Sequence, residues 1–420
     1  MTNQKSASKK ASTKETGETG EAWLPIEGGV TAPEGYLASG VAAGLKQKGT
    51  DTAALFSTLP AAAAGVFTQN LVQAAPVVLS RENLKLSRGR ARAILINSGC
   101  ANACTGERGK KDALLSARKL ASLLKVESEQ ILVASTGVIG AFLPMPKMLK
   151  GIAAAVSALD SEGGHDAALA IMTTDTKEKI VALEGKIDGK TVRIGGMAKG
   201  SGMIHPDMAT MIGVITTDVR ISHGELQRVL KRATERTFNC LTVDGDTSTN
   251  DTVFAMANGA SGVAVNDARS LAAFEKGITL VCRELTKCIA RDGEGATKFV
   301  EITVKGAADF KSARRMAKAI AHSPLVKTAI YGQELNWGRI LCAAGYSKVS
   351  FNPDEITLSI NGIPIFRKGQ SVTTRAKAEK AVKERDIAIE VSLATGKESA
   401  TVWTCDLSHE YVSINASYIS

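Results

Sequence analysis

The sequence predicts an α/β protein with mixed sheets, and three observations support that prediction. Short apolar runs rich in β-branched residues, typical of buried strands, alternate with longer segments whose apolar residues recur at helical spacing. Loops rich in Gly, Asn, Ser and Thr follow several predicted strands. The dipeptide Asn361-Gly362 between two apolar runs indicates a hairpin, so some neighbouring strands are antiparallel. A purely parallel, doubly wound sheet is therefore not expected.

The individual elements follow from the spacing of apolar residues along the chain. The helix predicted over 110–125 directs Leu114, Leu115, Leu120, Leu123 and Leu124 inward and its Lys/Arg face to solvent. Residues 153–173 are helical in character, and residues 185–194 form a hairpin. Further helices are predicted over 223–234, 269–291, 312–322 and 375–384, and strands over 91–96, 130–134, 211–216, 239–243, 298–304, 355–360, 363–367, 387–391, 400–405 and 410–414.

Composition excludes several classes of partner. The net charge of +10 is spread along the 420 residues, and aromatic residues make up only 4%, with no basic stripe for base stacking. We therefore expect no nucleic-acid partner. No uninterrupted apolar run approaches the length that spans a bilayer, so we expect no membrane partner either.

The seven cysteines indicate a reducing compartment. Their number is odd, their spacing is irregular, and no CxxC pair or HxxxH motif is present. Residues 1–22 contain no Leu, Ile, Val or aromatic residue, so we predict a disordered tail there. This tail has the features of neither a signal peptide nor a transit peptide. The sequence therefore predicts a cytoplasmic protein without a metal or other cofactor.

The segment KGSGMIHPDMATMIGVITTD, residues 199–218, places Thr210 between a Gly/Pro-containing approach and a buried apolar run. A threonine hydroxyl in this position can attack the Ala209 carbonyl and exchange the amide for an ester. Water then releases a new N-terminus, whose α-amine has an ordinary pKa of about 8 and can serve as a base for the same hydroxyl. Judged by its spacing alone, a threonine before an apolar strand more often serves as a cap or packs against its neighbours than acts as a self-cleaving nucleophile.

The amino-acid sequence of this segment resembles the self-cleavage signature of the ornithine acetyltransferase family, also called glutamate N-acetyltransferase. The resemblance runs from about Trp23 to Ser420. It implies an ornithine acetyltransferase/aminopeptidase-like fold of two layered α/β lobes, cut between Ala209 and Thr210. The products would be an α chain of residues 23–209, after the tail, and a β chain of residues 210–420, with two of each expected to form a heterotetramer.

The same resemblance assigns further site residues, although each motif alone reads as an ordinary turn. In STGVIG (135–140) it implies that Thr136 and Gly137 form the oxyanion hole. In MTTDT (172–176) it implies that Thr173 contacts the substrate. It also implies that Lys199 binds a substrate carboxylate. The DGEGATK motif (292–298) assigns Glu294 to a substrate amine. The remaining expected substrate-binding residues are Thr210, Asn415 and Ser420.

Some sequence features depart from the family or suggest other sites. Cys100 stands where the family usually has Asn, and departures also occur at 333–335 and at 177–178. Residues 244–251 lack the Gly and Glu spacing of an EF-hand, and 40–46 lack the order of a phosphate loop, so both of those sites are rejected. None of the departures falls on an expected catalytic residue.

These motifs together predict a self-processed acetyltransferase of arginine biosynthesis. The acetyl group of N-acetylornithine would pass to Thr210 and then to glutamate, which gives ping-pong kinetics. Acetyl-CoA remains open as a second donor. Two alternatives are an aminopeptidase-like hydrolase of the same architecture and a non-catalytic scaffold or nucleic-acid protein suggested by the positive charge.

Overall fold

The computed structural model describes residues 22–205 and 211–417, without the side chains of residues 375–378. The predictions for the N-terminal tail, Ala209, Thr210 and Ser420 therefore lie outside the described residues. Within them, the chain forms two mixed β-sheets with helices packed against both, which confirms the predicted α/β class.

The first sheet contains most of the strands from the first 257 residues. Its members are β1 (Leu24–Ile26), β2 (Tyr36–Val41), β3 (Thr52–Phe67), β4 (Arg90–Asn97), β5 (Ile131–Ser135), β6 (Lys179–Ile187), β7 (Lys190–Lys199), β8 (Ile212–Thr217) and β9 (Thr252–Ala257). In the described part of the chain their order is β1-β6-β7-β8-β9-β3-β4-β5, with β2 also paired to β3. The pairs β4–β5 and β8–β9 are parallel, and the other pairs are antiparallel.

The second sheet is formed by the C-terminal strands. They are β10 (Phe299–Ala307), β11 (Thr357–Ile360), β12 (Ile363–Arg367), β13 (Gln370–Ser371), β14 (Asp386–Ser392) and β15 (Glu398–Cys405). Their order is β13-β12-β11-β14-β10-β15, and only β10–β14 is a parallel pair among them.

The helices cover both sheets. They are α1 (Ala75–Leu86), α2 (Gly106–Leu124), α3 (Met145–Ser157), α4 (Gly164–Ala170), α5 (His223–Arg236), α6 (Ala268–Arg291), α7 (Phe310–His322), α8 (Pro324–Tyr331), α9 (Trp337–Gly345), α10 (Arg375–Lys383) and α11 (His409–Ser417). The long helix α6 contacts β6 and β7 of the first sheet as well as β10 and β15 of the second. A single core therefore joins the two sheets through this helix.

Strands β8 and β9 lie in the middle of the first sheet, and every residue in them is buried. Val214 packs into one core cluster and its neighbour Ile215 into the other, because helices cover both faces of the sheet. The register pairs Ile212 with Lys199 of β7 on one side and with Thr252 of β9 on the other. The end of β7 and the starts of β8 and β9 therefore meet at one edge.

Three predicted elements are wrong. Residues 153–173 contain two helices, because the chain turns between them to exchange backbone hydrogen bonds between Asp160 and Ala38 of β2. The predicted strand 239–243 is a short 3-10 turn followed by one bridge from Leu241 to Trp403. The predicted strand 410–414 belongs to α11, where the Ser408 hydroxyl accepts the Tyr411 N–H and caps the first turn.

The predicted inward face of α2 is also partly wrong. Leu115 and Leu123 are exposed, whereas the helix buries a stripe of smaller residues: Ala113, Ser116, Ala117, Leu120 and Ala121. The small side chains allow α2 to lie close to α1 and α3, which pack against it. The other predicted helices and strands are confirmed, with boundaries that differ by a few residues.

Candidate active site

A cleft of about 110 Å³ lies at the edge where β5 and β7 end and where β8 and β9 begin. It is lined by all six predicted site residues that the structure describes: Thr136, Gly137, Thr173, Lys199, Glu294 and Asn415. Met211, the residue bonded to Thr210, lines the same cleft. Residues separated by up to 279 positions in the sequence thus meet in one site.

The turn after β5, which we call the oxyanion turn, carries the two residues predicted to form the oxyanion hole, Thr136 and Gly137. Gly137 has a φ of +126°, and a Cβ there would lie 2.3 Å from the Gly99 carbonyl carbon, so glycine is required. The Thr136 N–H donates to the Asn97 carbonyl at 3.0 Å. In the described part of the chain the Gly137 N–H has no acceptor. The donors available to a ligand are therefore the Thr136 hydroxyl and the Gly137 N–H.

Lys199 is a buried cation in the cleft. Its ammonium donates to the Thr136 hydroxyl at 3.3 Å, and among residues 22–205 and 211–417 it forms no ion pair within 4 Å. Burial lowers its pKa, while the carboxylate of Asp175 opposes that shift. Because an ammonium can only donate, the Thr136 oxygen acts as acceptor toward Lys199 and keeps its own proton for another partner. This arrangement suits an anionic ligand.

Asp175 holds the loop that carries Thr173 against the end of β7. Its buried carboxylate accepts hydrogen bonds from the Thr173 N–H at 3.0 Å, the Gly200 N–H at 2.7 Å and the Lys179 ammonium at 2.6 Å. Burial alone would raise its pKa, but Lys199 and Lys179 together with these donors lower it to about 2. The carboxylate therefore stays ionised at neutral pH and balances the two buried lysines.

Glu294 provides a carboxylate to the cleft. Its Oε2 accepts the side-chain amide of Asn415 at 2.8 Å, and its backbone N–H donates to the Ser201 carbonyl at 3.0 Å. A Cβ at Gly202 would lie 2.3 Å from this carboxyl group, so glycine is needed for the close approach. Helix α11 thus brings Asn415 to Glu294.

Sequence reasoning did not assign individual roles to two further residues of the cleft. Asn250 donates its side-chain amide to the carbonyls of Ala101 at 2.6 Å and Ser135 at 2.8 Å, which fixes the oxyanion turn against the start of β9. Asp251, the next residue, is buried and lines the cleft. The sequence signal for these residues was the mostly polar run 244–251, which directly precedes β9; the residues of β9 after Thr252 are all apolar.

The departure at Cys100 does not disturb the oxyanion turn. Its backbone bridges to Thr136 and Val138, and its carbonyl accepts the Asn97 side-chain amide at 2.9 Å. Its thiol points to the Ala141 carbonyl, and burial raises its pKa. The contacts that shape the turn are therefore made by the backbone, independently of this side chain.

In the part of the chain that the structure describes, no group of three His, Cys, Asp or Glu side chains is arranged to hold a metal ion. No helix there combines the length and the apolar character needed to cross a bilayer. The seven cysteines are all free thiols.

The cleft combines a buried ammonium, a carboxylate and two hydrogen-bond donors of one turn. Such a site can bind a small charged ligand at both ends and stabilise negative charge on a carbonyl oxygen, which is the requirement of acyl transfer. The fold and the cleft therefore define an acyl-transfer enzyme.

Comparison with known proteins identifies the family. The ArgJ family model matches residues 37–420, and the chain belongs to the ArgJ family. The arginine biosynthesis bifunctional protein ArgJ of Symbiobacterium thermophilum is 49% identical over 402 residues, covering 94% of this chain and 99% of the relative. The protein of the same name from Parasynechococcus marenigrum is 48% identical over 398 residues, covering 94% of this chain and 96% of the relative. The predicted acetyltransferase of arginine biosynthesis is thereby confirmed.

Solved structures include similar proteins. Ornithine acetyltransferase from Mycobacterium tuberculosis, complexed with ornithine, is 45% identical, with a TM-score of 0.42 over 45% of this chain and 100% of that chain. An ArgJ structure from Bacillus halodurans is 42% identical, with a TM-score of 0.43 over 45% of this chain and 99% of that chain.

We predict that Lys179→Met destabilises the folded protein strongly. The lysine is 1% exposed and pairs with Asp175 and Asp292, both at 2.6 Å. Methionine would leave two carboxylates without their cation, which should lower the free energy of unfolding by about 3–5 kcal/mol. Denaturant unfolding of both proteins measures this difference.

The matched control is Lys305→Met, which removes the surface partner of Glu390. Because both side chains of that pair are exposed, the control should cost less than about 1 kcal/mol. Equal losses in the two variants would show that the buried cluster does not contribute as we describe.

Proposed function

We propose that this chain cleaves itself between Ala209 and Thr210 and then transfers acetyl groups through Thr210. The hydroxyl of Thr210 attacks the acetyl carbonyl of N-acetylornithine, and the new α-amine of Thr210 takes the hydroxyl proton. Ornithine leaves, and the amine of glutamate then attacks the acetyl ester. The cleft supports the proposal because Met211, bonded to Thr210, lines it together with the oxyanion donors.

The distribution of charge in the cleft supports the two substrates. Lys199 is available for a carboxylate, and Glu294 lies in the same cleft with its carboxylate available for an amine. N-acetylornithine and glutamate share an α-carboxylate and differ in the charge at the far end. One cation can bind the α-carboxylate that both substrates share, and one anion can bind the amine of N-acetylornithine. These two charges therefore suffice for both half-reactions. Thr173 lines the cleft near the same end of β7 and completes the proposed substrate contacts.

The proposal includes the assembly and the location of the mature enzyme. An α chain of residues 23–209 and a β chain of residues 210–420 would remain together, because β7 and β8 are neighbours in one sheet although they lie on opposite sides of the cut. We propose a heterotetramer of two such pairs in the cytoplasm, with Ser420 closing over the substrate. The relatives are named bifunctional, which supports testing acetyl-CoA as a second donor.

We predict that the purified protein separates into two bands of similar size on a denaturing gel. The second band should begin Thr-Met-Ile-Gly-Val, as N-terminal sequencing will show. Thr210→Ala should remain uncut and inactive because no hydroxyl is left to attack, whereas Thr210→Ser retains a hydroxyl and should still be cut. Splitting of the Thr210→Ala chain at this bond would refute the mechanism.

We predict that Thr136→Ala slows the chemical step. Loss of one oxyanion donor should raise its barrier by roughly 2–4 kcal/mol, with a much smaller effect on KM. Steady-state kinetics with N-acetylornithine and glutamate measure both constants. Thr136→Ser retains the hydroxyl and serves as the control, and an unchanged kcat in Thr136→Ala would exclude this residue from the oxyanion hole.

We predict that Glu294→Gln weakens the use of N-acetylornithine more than the acceptance of acetyl by glutamate. The removed anion faces the amine tail of one substrate, and its loss cannot weaken binding of an anionic tail. The half-reactions can be followed separately by mass spectrometry of the acetylated β chain. Glu301→Gln, outside the cleft, is the control, and equal losses in both halves would contradict the assigned role.

A further inference from the structure

One buried carboxyl group of the cleft has no part in the reaction described so far. Asp251 directly precedes β9 and is only 2% exposed. Its Oδ2 has no hydrogen-bond partner among the described residues, although it lies in a cleft lined by polar groups. A buried polar atom without a partner costs free energy, so its retention here indicates a use.

The position of Asp251 relates it to the cleavage site. The Thr252 N–H donates to the Met211 carbonyl at 2.9 Å, which fixes Asp251 alongside Met211. Met211 and Asp251 both line the cleft. Met211 is bonded to Thr210, the residue whose nitrogen would be released on cleavage. The Asp251 carboxyl group therefore lies in the same cleft as the residue next to the proposed cleavage site.

The other ionisable groups facing this point already have partners. Lys199 of β7 donates to the Thr136 hydroxyl, and Glu294, between α6 and β10, accepts the Asn415 amide. Burial raises the pKa of Asp251 well above its usual range, while Ser248 and Lys199 oppose the shift. Burial therefore favours the protonated carboxyl group, which is the form from which a proton can be donated.

We propose that Asp251 transfers protons to and from the α-nitrogen of Thr210, an inference that rests on the proposed self-cleavage. As the Thr210 oxygen bonds to the Ala209 carbonyl carbon, the C–N bond breaks. Asp251 gives its proton to the leaving nitrogen and regains one from the Thr210 hydroxyl, so no net proton is consumed. Water then hydrolyses the ester.

The same pair of groups serves acetyl transfer. The Thr210 amine takes the hydroxyl proton as the oxygen attacks the acetyl carbonyl, and it becomes an ammonium. The Asp251 carboxylate stabilises this ammonium, as a carboxylate does beside the base of a hydrolytic triad. The proton returns when the leaving amine departs.

The first test is the rate at which the full-length Asp251→Asn chain cleaves itself. Asparagine has the same shape but cannot donate an acidic proton, so we expect cleavage at least about 10²-fold slower than in the wild type. Gel bands and intact masses over time give the rates. Asp218→Asn is the matched control, because Asp218 is also buried with a raised pKa but lies beyond the far end of β8.

The second test is chemical rescue of the full-length Asp251→Ala chain. Formate should restore cleavage in proportion to its concentration, whereas formamide, which fills the same space without an acidic proton, should not. Rescue by both molecules, an unchanged rate in Asp251→Asn, or failure of both variants to fold would assign Asp251 to structure and overturn the proposal. If the wild-type chain itself remained uncut, the proposed function would fail instead.

Discussion

The Asp175 carboxylate accepts hydrogen bonds from three separate parts of the chain: the Thr173 backbone, the Gly200 backbone after β7, and the Lys179 side chain at the start of β6. Its negative charge also faces Lys199. Asp175 compensates the charge of these buried lysines together with Asp292, which also pairs with Lys179 at 2.6 Å, because burying an unpaired ammonium is costly. The charge of the proposed carboxylate-binding cation is therefore supported by Asp175.

The oxyanion turn depends on a neutral network in a similar way. Asn250 ties the turn after β5 to the loop before β9, and the Ser135 hydroxyl donates to the Asn97 side chain at 2.6 Å. These bonds fix the turn that carries Gly137 before any ligand arrives. Donors fixed in advance stabilise a developing charge more effectively than donors that must reorient during the reaction.

The two arrangements explain how one small cleft can serve two substrates. The rigid elements, namely the oxyanion turn and Lys199, address groups that the proposed substrates share. Glu294 is held from outside the first sheet by Asn415 of α11, so it is the element that can distinguish an amine tail from a carboxylate tail. Under the proposed mechanism, Lys199 binds the shared carboxylate and Glu294 discriminates between the two tails.

The sequence alone determined the fold class, most of the helices and strands, and the residues of the proposed site. Those features depend on local spacing and on motifs whose glycines, such as Gly137 and Gly202, allow close approaches that larger residues would prevent. The predicted strand over residues 410–414 instead lies in a helix whose first turn is capped by the Ser408 hydroxyl. Only the tertiary structure showed that Asp175 balances Lys199 and Lys179, or that Asp251 lies buried beside Met211. The charge state and environment of such carboxyl groups depend on burial and on neighbours that are distant in the sequence, and no local pattern encodes either.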